Sequence, residues 1–170
     1  MSKAKVFLTL TGYQLTWLSC VFGENKLGIP LLGIYAGTAY LILFFYLNQN
    51  RIKLLKISIY ISIPGYFFDT LMVYLSIYNF NTDYIFGTLP VWMIVLWLSF
   101  STLFCEILKI FKKYKIIGIT SSVVLGPLTY YLGEPIGIIS INNMLLFFVA
   151  MMIFWGLLMI YYLEVIIKED

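Results

Sequence analysis

Asp69 is the thirteenth residue of Ile57–Phe80, a run of 24 residues that carries no other charged side chain. A carboxyl group at that depth in an apolar segment is stripped of water, and no Lys or Arg stands at a similar depth in the other apolar runs. Desolvation opposes its charge. It is therefore expected either to be protonated and hydrogen-bonded, with Gln14 as the partner at hand, or to face a wet cavity and take up a proton or a cation. The competing role is structural, an interhelical hydrogen bond worth about 0.6–2 kcal/mol. Pro64-Gly65, one turn earlier, removes an amide donor and crowds the preceding turn. This gives either a kink that opens carbonyls beside Asp69 or a bend that only helps packing.

Four further residues join Asp69 as expected ligand- or proton-binding groups: Gln14, Trp97, Tyr130 and Glu134. Gln14 belongs to a small, polar group with Thr9, Tyr13, Thr16 and Cys20, whose spacing should turn it away from lipid. Trp97 lies deep in its run, where it lines a pocket or packs. Tyr130 and Glu134 fall in Gly126-Pro127-Leu128-Thr129-Tyr130-Tyr131-Leu132-Gly133-Glu134-Pro135. This stretch predicts either a broken helix exposing backbone groups to a site or a proline-ended helix feeding a loop. Glu106 with Lys109 and Lys113, and Glu164 with Lys168, have the spacing of ion pairs at a membrane boundary.

No catalytic group can be named. The chain has no histidine, which removes His-based zinc sites and the Ser-His-Asp and Cys-His arrangements. It also shows no paired carboxylates, metal cluster or phosphate-binding glycine loop, so no metal and no cofactor is expected, and an enzyme is the weaker expectation. Cys20 and Cys105 belong at different depths, which forbids the short separation of a disulfide.

The elements that must carry these groups are membrane helices. Apolar residues make up 62% and charged residues 11% of the 170-residue chain, against about 45–50% and 25% in soluble domains. The mean hydropathy is +0.94. Six apolar runs of spanning length occur, Val6–Gly23, Leu27–Leu47, Ile57–Phe80, Leu89–Leu108, Ile116–Leu132 and Met144–Ile167. All are expected to be helical, since a helix satisfies its own backbone in lipid. The fourth places Pro90 in its first turn and Trp92 at the interface.

The expectation is an all-α, polytopic protein with six transmembrane helices in one integral membrane domain, residues 1–170. Ten of the eleven basic residues fall on one side of these runs, and Lys26 alone falls on the other. Lys/Arg excess marks the cytoplasm, so both termini are expected there, and nucleic acid is excluded as a partner because the basic residues sit as topology signals. The amino-terminal run, with Trp17-Leu18-Ser19-Cys20, is expected to remain as an uncleaved span. Weak matches between the halves, such as Trp17-Leu18-Ser19 with Trp97-Leu98-Ser99, fit a three-plus-three inverted repeat or chance similarity between apolar helices.

Four groups of residues resemble a family. They are Gln14-x-x-Trp17-x-x-Cys20-Val21, the mid-run Asp69, Pro90-x-Trp92-Met93 with Trp97 and Phe100, and Gly126-Pro127-x-x-Tyr130-x-x-Gly133. Together they resemble an uncharacterised family of small multi-pass bacterial inner-membrane proteins, known only as a domain of unknown function. The resemblance implies an inner-membrane location and, through neighbouring lipid-modifying genes in some members, a lipid-related role. It also implies a histidine near Cys105, which this chain lacks.

Three functions follow as expectations. The first is binding or transport of a small or amphiphilic molecule in an intramembrane polar pocket around Asp69. The others are an enzyme or accessory subunit of membrane-lipid modification, and a structural partner of another membrane protein. Membrane lipids are expected partners in each.

Overall fold

The computed structural model describes residues 3–24 and 26–167. Among these it has six α-helices: α1 (Lys3–Gly23), α2 (Leu32–Leu47), α3 (Arg51–Tyr74), α4 (Trp92–Glu106), α5 (Lys115–Tyr131) and α6 (Met144–Tyr161). A short 3-10 turn, Leu108–Lys112, follows α4, and one π-helical turn, Tyr162–Ile166, prolongs α6. Four short strands occupy two connectors: β1 (Tyr78–Phe80), β2 (Ile85–Phe86), β3 (Leu89–Pro90) and β4 (Ile139–Ile141).

Three helical segments are long and apolar enough to cross a membrane: Lys3–Gly23, Arg51–Tyr74 and Met144–Ile166. Helices α2 and α4 are apolar but shorter. At about 1.5 Å per residue, the 16 residues of α2 rise only about 24 Å against a hydrocarbon core of about 30 Å. Large apolar side chains are exposed around the outside, among them Phe7, Ile116 and Leu145. So much apolar surface would be a liability in water and suits a lipid surround.

Successive helices pair, α1 with α2, α3 with α4 and α5 with α6, and α4 also packs on α1 and α2. The α5/α6 pair joins the centre through aromatic rings. Trp155 of α6 stacks on Trp97 of α4 at 5.8 Å and 21°, and Phe154 stacks on Phe68 of α3 at 4.0 Å.

The connectors gather at two ends. At one, β1 pairs antiparallel with β4, with Tyr78 opposite Ile141, and β2 pairs with β3. Thr82 there donates to Glu24, tying in the α1–α2 turn. At the other end, Lys5 donates to Asn48 at 2.8 Å and Lys112 to the carbonyl of Ile167 at 3.5 Å, while Lys115 pairs with Glu164.

Several expected boundaries and features are corrected. Pro30 precedes α2, which starts at Leu32 and not Leu27. The third helix begins six residues early, at Arg51, and stops at Tyr74. It ends in a Schellman motif: Ser76 N–H donates to Val73 and Ile77 N–H to Met72, with Ser76 left-handed at φ 54°. Pro90 is not in a first helical turn but in β3, opposite Ile85, and Trp92 opens the helix instead. The fifth helix is unbroken through Pro127, and the third through Pro64. The Glu106–Lys109 pair is present at 3.3 Å. Glu164 pairs with Lys115; Lys168, its expected partner, lies outside the described residues. Cys20 and Cys105 are free thiols.

Candidate functional site: a buried aspartate behind an aromatic cavity

Asp69 is completely buried on α3. Its Oδ1 accepts the Tyr78 hydroxyl at 2.6 Å and its Oδ2 the Trp97 indole N–H at 2.7 Å. The Tyr130 hydroxyl lies 2.9 Å from both oxygens. Three donors from three elements thus take the place of the water a carboxyl group loses on burial. The indole can only donate, so the direction of that bond is fixed.

Each donor is delivered by local structure. A Cβ at Gly65, one turn before Asp69, would stand 2.4 Å from the six-membered ring of Trp97. The missing side chain therefore lets that ring lie against α3 while its N–H reaches the next turn. Gly126 does the same for Trp155, whose ring a Cβ there would meet at 2.3 Å. That seats α6 against α5 one turn before Tyr130. Tyr78 comes from β1: the Schellman turn reverses the chain after α3, and pairing with β4 holds the strand across the bundle's end.

A half-open cavity of about 100 Å³ lies on the far side of Trp97 and Tyr130. All four tryptophans of the chain, Trp17, Trp92, Trp97 and Trp155, line it, together with Tyr13, Phe80, Phe100 and Tyr130. The indole N–H of Trp155 is buried without an acceptor among the described residues. Such a wall offers π-faces to an apolar or aromatic body. Asp69 does not line this cavity; it holds two of the side chains that do.

Of the five residues expected at the site, the structure brings together Asp69, Trp97 and Tyr130. Gln14 is not with them. It is exposed, because the buried stripe of α1 runs through Thr9, Thr16 and Cys20, and Gln14 lies off that stripe. Glu134 is half-buried and accepts the Ile141 amide at 3.2 Å, which steadies the α5–β4 connector. Tyr78 was not anticipated, since it was counted inside the third span. The polar pocket expected around Asp69 is instead an aromatic one beside it.

No curated protein and no solved structure matches the chain. A family model described as a protein of unknown function (DUF2878) matches residues 6–161, nearly the whole length, and the chain belongs to that family.

Proposed function

We propose that the protein binds, and passes across or along the membrane, a small amphiphilic molecule held in the aromatic cavity. The observation that carries this reading is the convergence of all four tryptophans on one half-open space. In this reading Asp69 acts on the ligand through Trp97 and Tyr130, fixing their ring planes, and exchanges a proton when those contacts loosen. Six helices cross the inner membrane, with the lysine-rich end and both termini in the cytoplasm. The cavity then lies toward the outer face, where the tied connectors close it. The charge asymmetry between the two ends and the apolar exterior support this placement.

The test uses the protein in vesicles and a hexanoyl ester of a nitroxide, a small amphiphile that quenches tryptophan on contact. Quenching should saturate, and excess ester without the nitroxide should reverse it. Leu96→Phe, which narrows the cavity, should weaken the saturable part roughly fivefold. Asp69→Asn should change its pH dependence. Quenching that rises linearly with probe, unchanged by either variant, is partitioning into lipid and defeats the proposal.

A further inference from the structure

The walls of the aromatic cavity leave one side unjoined. Its floor is the face of α4 that carries Met93, Leu96, Trp97 and Phe100. Phe100 meets Tyr13 of α1 at 5.6 Å and Trp155 of α6 at 5.3 Å between ring centroids, so a row of rings shuts the inner end. Phe80, edge-on to Trp92 at 5.7 Å, shuts the outer end with Gly133, Ile138 and Ile139 of the connector after α5. The two side walls are α1 and α5. Helix α1 packs on α2 and α4, α5 packs on α6, and no comparable packing links α1 to α5 among the described residues.

The mouth between these two helices faces lipid. On α1 the cavity-lining positions Tyr13, Trp17 and Val21 lie between the buried stripe and an exposed flank that carries Gln14 and Leu18. On α5, Thr129 both lines the cavity and is exposed, with its hydroxyl given to the Leu125 carbonyl. Gln14 stands midway along the 21 residues of α1, where an exposed amide meets hydrocarbon. Neither that amide nor the Tyr13 hydroxyl next to it has a hydrogen-bond partner among the described residues. Polar groups in such surroundings are costly until something pairs with them. Helix packing does not explain Gln14, which lies off the stripe that packs.

No charged side chain lines the cavity, so it suits an uncharged occupant. Two of its indoles, Trp97 and Trp155, lie within 21° of parallel and present flat faces. We infer that the occupant is a quinone dissolved in the membrane, which enters between α1 and α5 and whose carbonyl oxygens accept from Tyr13 and Gln14. The indoles suit its ring, the two donors suit its carbonyls, and the unjoined side leaves its apolar tail in the lipid. The inference rests on the aromatic cavity being a binding site and names what fills it. An ester lipid brings carbonyls without the ring, and an alkylbenzene the ring without carbonyls.

The test uses the full chain in phosphatidylcholine vesicles and two benzoquinones that quench tryptophan on contact, one with a decyl tail and one with a long isoprenoid tail that confines it to the bilayer. Quenching by both should saturate, and neither excess decylbenzene nor excess dioleoylglycerol should reverse it. Gln14→Leu and Tyr13→Phe, each removing one donor, should each raise the half-saturating concentration about fivefold. Thr129→Phe, which narrows the mouth, should raise it about as much, whereas Ile42→Phe on the exposed face of α2 should leave it unchanged. Saturation by the short quinone alone overturns entry from the side. Reversal by decylbenzene, reversal by dioleoylglycerol, or wild-type behaviour of both donor variants overturns the quinone. Saturable quenching by the nitroxide ester with none by either quinone overturns the occupant and leaves the amphiphile reading standing. No saturation by any of the three overturns both.

Discussion

The three bonds to Asp69 are one interaction shared four ways, and that dictates how substitutions combine. Asp69→Leu leaves two hydroxyls and an indole N–H facing an apolar side chain. The expected loss is about 3 kcal/mol, at the low end of the range for several orphaned donors because membrane interiors reward such bonds modestly. Tyr78→Phe removes one donor and should cost about 1 kcal/mol. In the double variant the tyrosine change should add less than about 0.3 kcal/mol, since its partner is already gone. Unfolding titrations in dodecyl sulfate measure all three, and full additivity would show that Asp69 and Tyr78 are not energetically linked. Asp69 was legible because a lone acid in an apolar run has few roles; Trp97 stood out only by its depth in the fourth run, and Tyr130 only through a Gly/Pro stretch whose suggested break the helix does not make. Gln14 misled because residues 13 and 14 differ by about 100° around a helix, enough to separate a buried stripe from an exposed flank.

At the scale of elements, apolar content and run length identified all six helices, and errors collected at their ends. The third run reads as unbroken through Phe80 because the residue that reverses the chain is Ser76, a type rarely found left-handed, where glycine would have announced the turn. Strands of two or three apolar residues carry no alternation long enough to detect. Pro127 suggested a break that the helix does not make; neighbours and local adjustment tolerate a proline in such segments. The start of α6 illustrates a boundary with a clear chemical cause, since Asn143 accepts the Leu146 amide at 3.0 Å. Asn143→Ala should cost about 1 kcal/mol, and Asn143→Asp should restore most of it. The same titration reads both, and no difference between the two variants would remove the cap from the account.

For the whole molecule, the helix pairs place every odd-numbered connector at one end and every lysine-bonded connector at the other. With cysteines introduced singly at Asp83 and Lys113, both exposed, a membrane-impermeant maleimide should label Asp83→Cys from outside intact cells and Lys113→Cys only after the membrane is opened. Cys20 and Cys105 are buried and add little background. Labelling of both positions from the same side contradicts the up-and-down arrangement. The strand β1 links the scales. Tyr78, which donates to Asp69, and Phe80, which walls the aromatic cavity, are two positions apart on this strand, and their rings touch edge-on at 5.7 Å. Peeling the strand from β4 consequently unlatches the acid and unroofs the chamber in one stroke. A force or a partner acting on this end of the bundle is thereby felt at Asp69, five residues before the end of α3.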